Sequence, residues 1–164
     1  MPDLLTHILL GYTAGTFLSA YYEEITAEDT AVVMVGTLLP DLNHIYAIIQ
    51  PELIHNTIGV PFSWGFLQTG GGVFLTSLGA ILFVSEGYRR RAFGLIWIGS
   101  ITHLVSDVLL YVPDGRSQSV FWPLTMYQPS TPGIYMSTDL WPLLAAALLA
   151  VISSFVVEGS DLKE

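Results

Sequence analysis

The chain has 164 residues, enough for one domain with a full core; 52% of it is apolar and only 12% is charged. Soluble domains carry about 25% charged residues, so an ordinary soluble surface is excluded, and a mean hydropathy of +0.58 points to a membrane. With 14 acidic and 5 basic residues, the net charge of −9 argues against nucleic acid, and the lack of cysteine excludes disulfides and thiolate metal sites.

Residues 4–22 form the first apolar segment, with Pro2-Asp3 as a helix start. It has no basic leader or small-residue cleavage site, so it does not read as a signal peptide. Gly11 and Gly15 have the spacing that lets two helices pack closely, and His7 is the segment's one ionisable group. Glu23 to Asp29 is a short acidic connection, in which Thr26 and Asp29 resemble a capping box. The second apolar stretch, 30–50, is interrupted by Leu39-Pro40-Asp41-Leu42-Asn43-His44. Proline breaks or kinks a helix there, and an acid and a histidine follow at once.

The 50–60 stretch reads as a polar link. A third apolar segment, 61–84, has Gln68 and Thr69 just before Gly70-Gly71-Gly72, a triplet that suits unwound or closely packed backbone. A charged turn with Arg89-Arg90-Arg91, the only basic cluster, leads to the fourth segment, 93–112. That segment carries His103 and Asp107, one helical turn apart on one face. The stretch 112–137 contains four prolines and no helical pattern, and it exceeds the ~12–15 residues of a passive loop. Its aromatics Phe121, Trp122, Tyr127 and Tyr135 suit a membrane–water interface. Thr138-Asp139 then caps a fifth segment, 140–157.

The expected fold is a single all-α domain over 1–164: an integral membrane helical bundle of about five spans with one long irregular loop. The alternative, a soluble bundle, would show a polar face on each helix, and 93–112 and 140–157 show little of one. By the positive-inside rule the Arg89–Arg91 turn is cytoplasmic, which puts the N-terminus outside and Lys163 inside. Alternation of the spans then brings His7, Asp41, His44, Gln68, His103, Asp107 and Asp139 to the opposite membrane face. Ionisable groups inside a membrane are costly unless paired, metal-bound or facing a wet cavity.

His7, Asp41, His103 and Asp107 make a mixed nitrogen–oxygen ligand set that suits zinc, manganese or iron. Asp41 or Asp107 is also a candidate general base for hydrolysis. His44 and Gln68 are peripheral candidates, and Arg116 in the long loop is a candidate anchor for an anionic substrate group. The competing readings are a structural hydrogen-bond cluster in a non-enzymatic membrane protein, and a proton-relay element. The relay is weakened by small size and the absence of a repeat.

These residues also carry a resemblance. Thr6-His7 with Gly11, then Gly36-Thr-Leu-Leu-Pro-Asp41, then His103-Leu-Val-Ser-Asp107, then Trp122-Pro-Leu resemble the membrane-bound metal-dependent hydrolase family, from residue 6 to about 124. The resemblance implies an integral membrane protein, a divalent metal (zinc or manganese first) and hydrolase activity, with His7, Asp41, His103 and Asp107 as the site. The resemblance fixes no substrate; a site embedded in the bilayer would suit a lipid or lipid-linked ester or phosphoester. One position departs: where the family has a His-Ser or His-Thr pair, this chain reads Gln68-Thr69-Gly70. Glutamine is a weaker ligand than imidazole, so a degenerate, inactive member is the alternative.

Overall fold

A computed structural model describes residues 4–161; Pro2, Asp3 and Lys163, used above for helix entry and topology, lie outside them. The described residues are helical, with two isolated β-bridges. In chain order the α-helices are α1 (Leu4–Tyr21), α2 (Ala27–Leu38), α3 (Pro51–Ile58), α4 (Gly70–Ile81), α5 (Arg89–Val108) and α6 (Trp141–Asp161). Short 3-10 helices run over Pro40–Ala47, Trp64–Gln68 and Glu86–Tyr88.

The bundle centres on α2, which packs on both α1 and α5, while α6 packs on the other side of α1. Small residues set how close the helices come. A methyl group on Gly11 would lie 2.7 Å from Thr37 Cγ2, and one on Gly15 would lie 2.8 Å from Thr30 Cα, so the Gly11–Gly15 spacing does form the α1–α2 contact. On α5, a methyl group at Gly99 would overlap the Val33 carbonyl. One residue on, the buried Ser100 Oγ donates to the Gly36 carbonyl at 2.8 Å. This close crossing carries the next turn of α5, with His103, against the C-terminal turn of α2.

Thr26 caps α2 with the expected capping box, closed by Asp29. Asp29 is buried and also accepts hydrogen bonds from the Tyr88 hydroxyl and from Arg91, whose Nε is 3.0 Å and Nη2 2.5 Å away. Burial pushes the Asp29 carboxyl up. The Thr26 backbone, Tyr88 and Arg91 outweigh it and hold the group at about 2. Burial and the adjacent carboxylate push the Tyr88 phenol up to about 12. This cluster ties the start of α2 to the start of α5, at the end of the bundle away from His7 and His103.

The apolar segments do not become five continuous helices. Pro40 ends α2 after Leu38, and the chain goes on as a 3-10 helix. The third segment is split by Thr69, whose extended backbone and hydroxyl (3.1 Å from Gly72 N) start α4. The glycine triplet is helical rather than unwound, and it serves close packing against the loop. The supposed polar link holds α3, entered by Pro51 and closed by Gly59 at φ 71°. Among the described residues, one helix is both long and apolar enough to cross a membrane, over Trp141–Glu158. Its outer face exposes Leu144, Leu148 and Phe155, a patch that water would disfavour.

As expected, the long loop has no helix between α5 and α6. It folds back on itself through backbone bonds Tyr111 to Tyr135 (2.7 Å) and Ser117 to Pro129 (2.8 Å). Two of its aromatics part company. Tyr127 is exposed, whereas Tyr135 is 6% exposed and buried against α5.

Candidate metal centre

His7 comes from the second turn of α1, Asp41 from the 3-10 helix after Pro40, and His103 and Asp107 from the last two turns of α5. Both histidines are fully buried, and their rings stack at 3.8 Å with an interplanar angle of 17°. His7 Nε2 lies 3.6 Å from Asp107 Oδ1. His103 Nε2 lies 3.1 Å from Asp107 Oδ2 and 3.9 Å from Asp41 Oδ1. The two carboxylates are the accessible part, with side chains 19% and 10% exposed for Asp107 and Asp41.

The hydrogen bonds anchor both rings through Nδ1. His103 Nδ1 lies 2.7 Å from the Thr37 carbonyl oxygen. A carbonyl can only accept, so Nδ1–H donates; Nε2, 3.1 Å from Asp107 Oδ2, donates to that carboxylate when the ring is protonated and offers its lone pair to a cation when it is neutral. Ser106 donates its single hydroxyl proton to the His103 carbonyl at 2.7 Å. Its oxygen therefore accepts from His7 Nδ1–H at 3.2 Å, and His7 Nε2 also presents a lone pair. Tyr135 steadies the arrangement by donating to the Ser106 carbonyl at 2.6 Å.

The Nε2 atoms of both imidazoles thus converge on the Asp107 carboxylate. Asp107 Oδ1 and Asp41 Oδ1 are buried and have no hydrogen-bond donor among the described residues. A proton on His103 Nε2 serves its bond to Asp107, whereas protons on both rings place like charges on rings stacked at 3.8 Å. A divalent cation is the one partner that His7 Nε2, His103 Nε2 and an Asp107 oxygen could share, with Asp41 outside that set. His7, His103 and Asp107 each offer one ligand atom, and these lie within 4.8 Å of one another. Imidazoles that hold a metal through Nε2 while Nδ1–H is anchored on a carbonyl or hydroxyl are the usual arrangement in metal sites. The donor set fits the cation that the sequence reading expects.

A model of the YdjM inner membrane protein family matches residues 1–162. The chain belongs to that family. Membership places it in a membrane, in line with the lipid-suited outer face of α6. None of the curated proteins or solved structures compared with it matches.

The peripheral candidates fall in different places. His44 is exposed and turns back on its own segment, with Nδ1 3.0 Å from the Asp41 carbonyl and 3.7 Å from Asp41 Oδ1. Gln68 is buried, and Arg116 is exposed; both line a cavity of about 220 Å³ that opens on Asp107. Asp139 stays away from the centre: its Oδ2 accepts from Met136 N at 2.8 Å in the turn before α6. Three contributors escaped the sequence reading: the Thr37 carbonyl, the Ser106 hydroxyl and the Tyr135 phenol. Only Ser106 left a signal, as a hydroxyl beside Asp107 in an apolar run.

Proposed function

We propose that this member of the YdjM inner membrane protein family is a membrane-embedded, metal-dependent hydrolase, acting on an ester or phosphoester carried by a lipid. The observation that carries the reading is the pair of imidazoles, each anchored through Nδ1, with both Nε2 atoms directed at Asp107. His7, His103 and Asp107 would hold a divalent ion, zinc or manganese. When bound, such an ion polarises an ester or phosphoryl oxygen and makes water more acidic.

The chain supplies the remaining roles. Ser106 and Thr37 keep both rings in the ligating tautomer. Tyr135 holds the α5 backbone at Ser106. Asp41, beside the triad and partly accessible, accepts a proton from water as general base. Gln68 lines the cavity at Asp107, where the resembled family would place a further imidazole. In this reading the chain crosses the membrane about five times, over residues 4–22, 30–50, 61–84, 93–112 and 140–157. The Arg89–Arg91 end is cytoplasmic and the site lies near the opposite face.

The test is metal content and hydrolysis on one preparation. The protein purified in detergent is expected to hold about one zinc or manganese per chain and to hydrolyse p-nitrophenyl esters or phosphoesters. Asp41→Asn should keep the metal and lose turnover. Metal-free, inactive protein whose His103→Ala variant is markedly less stable would favour the rival, a structural polar cluster.

A further inference from the structure

Next to the polar cavity at Asp107 lies an apolar groove of about 770 Å³, within the roughly 300–1,000 Å³ of small-molecule sites. Phe74 and Trp97 line one side and Trp122 and Leu124 the other. The two spaces share a wall: Leu104, Val108 and Val120 line both. We propose that together they form one site for a membrane phospholipid, with its phosphate at Arg116 and an acyl chain along the groove. This rests on the metal-centre reading, because that reading makes the Asp107 end the reacting end.

The groove is built, not merely a lipid-facing helix surface. The loop is stitched to the start of α4: Gly70 N donates to the Val120 carbonyl at 2.8 Å and Gly71 N to the Trp122 carbonyl at 2.6 Å. A methyl group on Gly71 would collide with the Trp122 ring. The loop therefore forms one wall and α4 with α5 the other. The face of α6 that exposes Leu144 and Leu148 belongs to neither space.

Charge selects the head group. Arg116 is the only lysine or arginine between 92 and 162. Its guanidinium makes no ion pair among the described residues, although Asp107 lines the same cavity. A cation without a carboxylate partner is suited to an anion that arrives with the ligand. Ser117 and Gln118 add polar groups to the same wall. Inorganic phosphate would use the polar cavity alone and leave the groove without a role, so the two spaces in series favour a phosphate that carries a chain.

The experiment is photolabelling of the full chain in phosphatidylcholine nanodiscs. The probe is phosphatidic acid with a diazirine in its acyl chain; a diacylglycerol with the same chain is the control. Adducts from phosphatidic acid are expected to concentrate on Phe74, Trp97 and Trp122, with few on Leu144 and Leu148. Arg116→Ala should lower this groove labelling about tenfold and leave the diacylglycerol pattern unchanged. Val105→Trp, which fills the groove from an exposed position, should lower it too while metal content stays the same. Equal labelling of the groove and α6 would overturn the proposal, as would indifference to Arg116→Ala or loss of labelling to millimolar inorganic phosphate. Groove labelling on protein that binds no metal would support the lipid site and sink the metal centre. Bound metal without groove labelling would do the reverse.

Discussion

The two ends of the α1–α2–α5 core solve the same problem in opposite ways. Each draws an aspartate into a junction between α2 and α5 or α1 and α5. At one end Asp29 receives donors from Thr26, Tyr88 and Arg91, and its charge is matched within the chain. At the other end Asp107 faces the Nε2 atoms of two imidazoles, and Asp41 adds another acceptor. The chain completes the first cluster by itself, whereas the second is the one for which a cation from outside is proposed. The difference lies in the donors: an arginine and a phenol serve Asp29, while both histidines spend Nδ1 on a carbonyl and a hydroxyl.

That contrast can be broken in several ways. The largest expected effect is at the acceptor-rich end. His103→Ala or Asp107→Ala should abolish stoichiometric metal binding, read by elemental analysis of the purified variants, and leave the Asp29 end intact. Next, Ser106→Ala removes the hydroxyl that orients His7. Metal affinity should fall roughly 10–100-fold in a competitive chelator titration, while the chain remains folded. At the self-sufficient end, Arg91→Ala should leave metal affinity unchanged. It should lower the thermal midpoint on the order of 10 °C, because Asp29 loses its charged partner.

The smallest effect is acid sensitivity. Asp29 is held at about 2 in the folded chain against an ordinary 3.8. A depressed carboxyl contributes stability that is fully present above 3.8 and is lost as pH falls through about 2. Thermal midpoints of metal-free protein should therefore decline across that window, and Asp29→Asn should flatten the decline. An unchanged slope would mean that the Asp29 cluster is not matched as described.

Much of this was legible in residue types and spacing. The Gly11–Gly15 contact, the Thr26–Asp29 capping box and the break at Pro40 all follow from local rules that tertiary packing left alone. His7, His103 and Asp107 stood out because ionisable groups in apolar runs are conspicuous. What decides the site's chemistry was less visible. Thr37 acts through its backbone carbonyl, which any residue would offer, so no side chain marked it. Tyr135 looked interfacial because an aromatic with a hydroxyl suits both a headgroup layer and a buried hydrogen bond. The split of the third segment at Thr69 depended on a hydroxyl capping α4, a choice that hydropathy does not report. Asp139 was grouped with the site by span alternation alone, but its side chain closes a local turn instead.

The central claim is that both imidazoles ligate through Nε2 together with Asp107. X-ray absorption at the zinc edge, on zinc-loaded protein in detergent, reads this directly. The account predicts two imidazole nitrogens at about 2.0–2.1 Å with carboxylate oxygen completing the set, and one imidazole fewer in His7→Ala. Zinc held by no imidazole, or protein that takes up no zinc while its Asp29–Arg91 end stays folded, would contradict it.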